Sequence, residues 1–198
     1  MSAWIEYVAV AAGVGYALLA VRRIRWAWVF GGVSSALLAL LAARSALPLQ
    51  SALQTLYIVM AIYGFWQWST RKKQGAADDP IFEGSRKGPM IRRWPLWAHG
   101  SALLGIALAA LVLSPAVAET TGASWPRLDA AVTCASLLAT WMTACSVLEN
   151  WLYWFAVNAA SVFLYGVQGL SLVAGLYIVY FIIAIFGWRE WLVQYHRQ

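Results

Sequence analysis

The chain of 198 residues is 62% hydrophobic and only 11% charged, with a mean hydropathy of +0.66, which lies outside the range of soluble domains and marks an integral membrane protein. Its formal net charge of +6 is concentrated in short stretches between long apolar runs. Those stretches are loops, so the charge reports membrane topology and a nucleic-acid reading is unnecessary.

A helix of roughly 18 to 22 apolar residues covers the ~30 Å hydrocarbon core. Seven segments satisfy this, at about 4–21, 26–43, 51–69, 95–113, 128–147, 150–168 and 172–189. The last two are separated only by Gln168, Gly169 and Ser171. One helix through both would be ~60 Å long, twice what a bilayer needs.

Seven spans place Arg22, Arg23 and Arg25, the loop 71–93 with Arg71, Lys72, Lys73, Arg86, Lys87, Arg92 and Arg93, and the C-terminal Arg189 and Arg197 on one side. That is twelve of the fourteen basic residues, with Arg44 and Arg127 opposite. The N-terminus is therefore expected outside and the C-terminus inside, with the basic loop against anionic lipid.

The first segment lacks a basic n-region and a small-residue cleavage site, and reads as the first span. Cys134 and Cys145 share one expected helix ~16 Å apart along its axis, too far for a disulfide, and are packing residues.

A shift of 123 positions lays Tyr57, Ala61, Tyr63, Gly64 and Trp68 on Tyr180, Ala184, Phe186, Gly187 and Trp191, and Glu6 on Asp129. A shift of 126, with a three-residue gap, lays Trp28 on Trp154 and Ser35 on Ser161. The chain thus divides into a first three-helix repeat at 1–73, a basic loop and linking fourth helix at 74–123, and a second three-helix repeat at 124–198. Three spans are odd, so a linking span keeps the copies parallel, and a site is expected where the two face each other.

Candidate site residues fall on helical stripes. Trp151, Trp154, Asn158 and Tyr165 share one face of the sixth segment. Asn158 lies ~10 Å deeper than Trp151, where an amide is costly unless hydrogen-bonded; a bond that only joins helices is the plainer account. Gln54 and Tyr57 line up with Ala61, Gly64 and Trp68, and Tyr177 and Tyr180 with Ala184, Gly187 and Trp191.

Thirteen tryptophans set among sparse amides suit a flat, especially cationic, ring. Glu6 and Asp129, at the outer ends of the first helix of each repeat, would concentrate a cation or simply favour their helix dipoles. The bilayer centre is expected to hold no ionisable group, which argues against ion-coupled transport. No Walker A, H-E-x-x-H or G-x-S-x-G pattern is found, so neither an enzyme nor a cofactor or metal is indicated.

These residues resemble the PnuC family of vitamin transporters. The likeness rests on "WIE" at 4–6, Gln54 with Y-G-x-x-x-W at Tyr63 to Trp68, "ENWLYWFAVNAAS" at 149–161 and "VQG" at 167–169. W-x-x-W-x-x-x-N falls on Trp151, Trp154 and Asn158.

The resemblance implies an all-α, seven-helix, SWEET-like 3+1+3 fold in the bacterial cytoplasmic membrane, assembled as a homotrimer. It also implies facilitated diffusion of nicotinamide riboside, trapped by a separate cytoplasmic kinase, with Trp154, Asn158 and Trp151 stacking on and hydrogen-bonding the substrate. Tyr63 and Phe186 join the candidates. Gly32, Ala61 and Phe186 stand where nicotinamide riboside carriers tend to have asparagine, so thiamine or riboflavin remain alternatives. A sugar or organic-solute channel would need more amides, and a noncatalytic membrane scaffold would leave no cavity.

Overall fold

The computed structural model describes residues 3–44, 48–70, 90–121 and 125–198. Seven helices follow in order: α1 (Ala3–Val21), α2 (Ala27–Arg44), α3 (Pro48–Thr70), α4 (Leu96–Thr121), α5 (Pro126–Ala144), α6 (Asn150–Val167) and α7 (Ser171–His196). Arg71, Lys72, Lys73, Arg86 and Lys87 of the expected basic loop lie outside the described residues.

Among the described residues, α1, α2, α4 and α7 are each long and apolar enough to cross a membrane. Helices α3 and α6 carry Gln54 and Asn158, and α5 carries the hydroxyls of Ser136, Thr140 and Thr143.

Two helices outrun their expected ends. α4 passes through Pro115 to Thr121. Proline there cannot accept the usual partner role for the carbonyl of Leu111, and the Ser114 hydroxyl donates to that oxygen instead (3.1 Å), as happens in membrane helices. α7 continues to His196 because Trp188, Trp191, Leu192 and Tyr195 extend its packed face into the core.

The helices α1, α2 and α3 pack in sequence, as do α5, α6 and α7; α7 lies on α1, α3 lies on α5, and α4 packs on α5. Corners of like geometry end α1 and α5. The N–H groups of Arg23 and Ile24 donate to the carbonyls of Ala20 and Leu19 (both 3.0 Å), and those of Ser146 and Val147 donate to Thr143 (3.0 Å) and Met142 (2.9 Å). Each is a Schellman cap, with its turning residue at φ 56° in both cases, a conformation costing a non-glycine residue about 1 kcal/mol.

Every bond in one corner lies 123 positions from its counterpart. A third such cap ends α6, where the residue is Gly169 at φ 75°, with Gly169 and Leu170 donating to Gly166 (3.1 Å) and Tyr165 (2.9 Å).

This register corrects one expected alignment. Trp28 packs on Gly64 as Trp151 packs on Gly187, so Trp28 corresponds to Trp151 rather than Trp154, and the shift of 123 runs on without a gap.

Candidate functional site

Both corners lead into tryptophans that close one end of a central cavity. Trp28 meets Trp68 edge to face (5.5 Å, 85°), Trp151 meets Trp191 in the same way (5.6 Å, 85°), and Trp68 lies 6.3 Å from Trp191. The glycines make this possible. A Cβ on Gly187 would come within 2.5 Å of the Trp151 ring, and one on Gly64 would collide with Trp28.

The indole N–H groups of Trp68 and Trp191 then cross between the two sets of helices. Trp68 donates to the carbonyl of Ala144 at the end of α5 (3.1 Å), and Trp191 to that of Ala20 at the end of α1 (3.2 Å). The indole N–H groups of Trp28 and Trp151 are buried and have no hydrogen-bond partner among the described residues. Below this cluster Arg23 sits over the Trp191 ring (5.5 Å) and donates to Gln194 Oε1 (3.1 Å). Burial lowers its pKa to about 10, so it stays a cation at neutral pH.

Above the tryptophans a cavity of about 330 Å³ opens between α1, α2, α3, α5, α6 and α7, within the range of small-molecule sites. Tyr57 donates to the Ser136 hydroxyl (2.6 Å), which in turn donates a hydrogen bond to the Thr133 carbonyl (2.8 Å). Tyr165 stacks on Tyr177 (5.2 Å, 10°), and Tyr180 stands edge-on to Tyr177 (6.0 Å). The Trp154 indole N–H donates to Thr143 Oγ1 (3.4 Å), which fixes one edge of that ring and leaves the rest toward the cavity.

Asn158 is 3% exposed and Gln54 7%, and both line the cavity. Among the described residues neither amide has a hydrogen-bond partner. Both amides face the cavity with their hydrogen-bonding capacity unused, so they are better suited to receive a solute than to stabilise the bundle.

Of the residues expected at the site, Trp151, Trp154, Asn158, Gln54, Tyr57, Tyr165, Tyr177 and Tyr180 all line this one cavity. Tyr63 and Phe186 do not, which corrects their expected placement. The Tyr63 hydroxyl accepts from Gln67 (2.5 Å) and lies 3.9 Å from Cys145 Sγ. Phe186 is 58% exposed, beside Arg22 and Arg189 in a surface groove. Both stand one residue before the glycine of their stripe, and one residue turns a side chain by ~100° away from the face that lines the cavity.

Sequence reasoning missed Trp28, Tyr16 and the hydroxyl row Ser136, Thr140 and Thr143, all of which line the cavity. The row was readable as an i, i+4, i+7 stripe. Trp28 required the gapless register. The acid pair also divides: Asp129 lines the cavity, whereas Glu6 is exposed.

The first two residues of the stretch 149–161 belong to the corner. Glu149 is buried, pairs with Arg93 (2.8 Å), which raises the arginine's pKa, and accepts the Trp94 backbone N–H (3.2 Å). The Asn150 amide donates to the Val147 carbonyl (2.6 Å).

An aromatic and amide-lined chamber inside a bundle of long apolar helices defines a membrane transport protein, with no enzyme's machinery needed. The chain belongs to the nicotinamide mononucleotide transporter family, whose profile matches residues 3–193. It is 25% identical to the riboflavin/roseoflavin transporter RibM of Streptomyces davaonensis, over 98% of this chain and 87% of that protein.

It is likewise 25% identical to the nicotinamide riboside transporter PnuC of Escherichia coli, over 96% of this chain and 85% of that protein. A crystal structure of the vitamin B3 transporter PnuC has the same fold, with a TM-score of 0.70 at 19% identity, covering 98% of this chain and 83% of that one. The chain is accordingly a multi-pass protein of the bacterial inner membrane, and a vitamin transporter of the PnuC family.

Proposed function

We propose that this transporter carries nicotinamide riboside by facilitated diffusion, and that a separate cytoplasmic kinase traps the product. The observation that carries the reading is the pair of amides facing the cavity without a partner among the described residues, Asn158 and Gln54, set beside Trp151 and Trp154 on the cavity wall. The rings stack on the pyridinium and the amides bind its carboxamide or ribose. Tyr57, Tyr165, Tyr177 and Tyr180 complete the wall.

The fold in this reading is seven spans in a SWEET-like 3+1+3 parallel repeat, with units at 1–73 and 124–198 joined by the segment 74–123. The identically bonded corners at Arg23 and Ser146 and the paired tryptophan–glycine contacts support it. The N-terminus lies outside, the C-terminus inside, and three copies assemble. Asp129 apart, the described side chains that line the cavity are neutral, which favours movement down a gradient over coupling to an ion.

Proteoliposomes holding the purified protein test this. Labelled nicotinamide riboside should enter until both sides are equal and accumulate further only with the kinase and ATP enclosed. Accumulation above equilibrium without the kinase would overturn facilitated diffusion. The likeness to a riboflavin carrier favours a flavin as second reading, and competition between the two vitamins decides between them.

A further inference from the structure

The cavity bears on the charge of the solute. Of the described side chains that line it, Asp129 alone is charged at neutral pH. It lies in the first turn of α5, partly buried, and among the described residues its carboxylate has no ion pair or hydrogen bond. An acid in a first turn favours the helix dipole, and Glu6 does the same in α1 while standing exposed outside the cavity. What sets Asp129 apart is that it shares an aromatic-walled chamber with Asn158, a residue only 3% exposed whose amide faces the cavity without a partner among the described residues.

The helix rise puts Asp129 ~10 Å along α5 from Ser136, the residue that ties Tyr57 into the wall. A cationic ring gripped at that level lies on the order of 10 Å from the carboxylate. At an effective dielectric of about 20, a charge at that distance changes affinity on the order of tenfold, and low-dielectric walls concentrate its field on the chamber.

We propose that Asp129 sets the selectivity of this site for a cationic over a neutral ring, as a specificity-determining carboxylate that need not touch the solute. The proposal rests on the vitamin-carrier reading and sharpens it: a pyridinium or thiazolium solute is preferred to a neutral flavin.

The test is calorimetric binding to the purified protein of nicotinamide riboside and of its neutral 1,4-dihydro form, which has nearly the same shape. The wild type should prefer the cation by roughly tenfold. Asp129→Asn should bring the two affinities within about twofold of each other, and Asp129→Glu should restore the preference. Equal affinities in the wild type, or an unchanged ratio in Asp129→Asn, would overturn the proposal, and the wild-type ratio stands even if a variant fails to fold. Equal binding of both ligands leaves the carrier reading intact, whereas binding of neither removes that reading and this one with it.

Discussion

Trp28 and Trp151, 123 positions apart, do the same thing at the closed end of the cavity, packing on Gly64 and Gly187. Gly31 and Trp154, at the same interval, do not. Along the walls the first set of helices offers Gly13, Ala17 and Ala20 where the second offers Ser136, Thr140 and Thr143, and Ser35 where the second has Asn158. The difference separates two tasks. A closure made by two matching units needs both halves alike, whereas an unsymmetrical solute is met by walls that differ, polar along α5 and α6 where α1 and α2 leave room.

The largest expected effect tests that asymmetry. Asn158→Leu should abolish uptake by two orders of magnitude while the protein still inserts, because leucine suits a membrane helix and removes the amide. Ser35→Leu, at the matching place, should lower uptake only severalfold; equal losses in a transport assay would break the comparison.

Next, Trp154→Ala should weaken vitamin binding about tenfold by calorimetry, the loss of roughly 1–2 kcal/mol of ring contact. Gly64→Ala and Gly187→Ala should each destabilise by about 1–3 kcal/mol, since the added Cβ meets a tryptophan ring and overpacks the core. Thermal midpoints that fall alike would support matched closure, and a fall in one alone would refute it.

The smallest effect concerns the corners. Glu149→Gln should cost roughly 1 kcal/mol or less in thermal stability, because the Arg93 side chain is 57% exposed and exposed partners are screened. The matching residue in the first set is Trp26, which is itself exposed, so no equivalent loss is expected there.

Much of this was legible in the sequence. Apolar length placed all seven helices, since chain length per residue in a helix is fixed and loops must carry the charge. The i, i+3, i+4 stripes placed eight wall residues for the same geometric reason.

What stayed hidden depended on depth and rotation. Tyr63 and Phe186 were drawn in by motif although a single residue of rotation turns them away. Trp28 was paired with Trp154 because one tryptophan resembles another until the glycine opposite it is known. Glu149 stands in the stretch that carries the family likeness with no role readable from it, because its partners are Arg93 and Trp94, contacts far apart in sequence that no local pattern reports.

The crossed indole bonds carry a mechanical implication. Trp68 is fastened to the end of α5 and Trp191 to the end of α1, so parting the two helix sets there ruptures both ties and the Trp68–Trp191 ring contact together. Each neutral tie is worth about 1 kcal/mol, so together they oppose that separation by about 2 kcal/mol before the ring contact is counted.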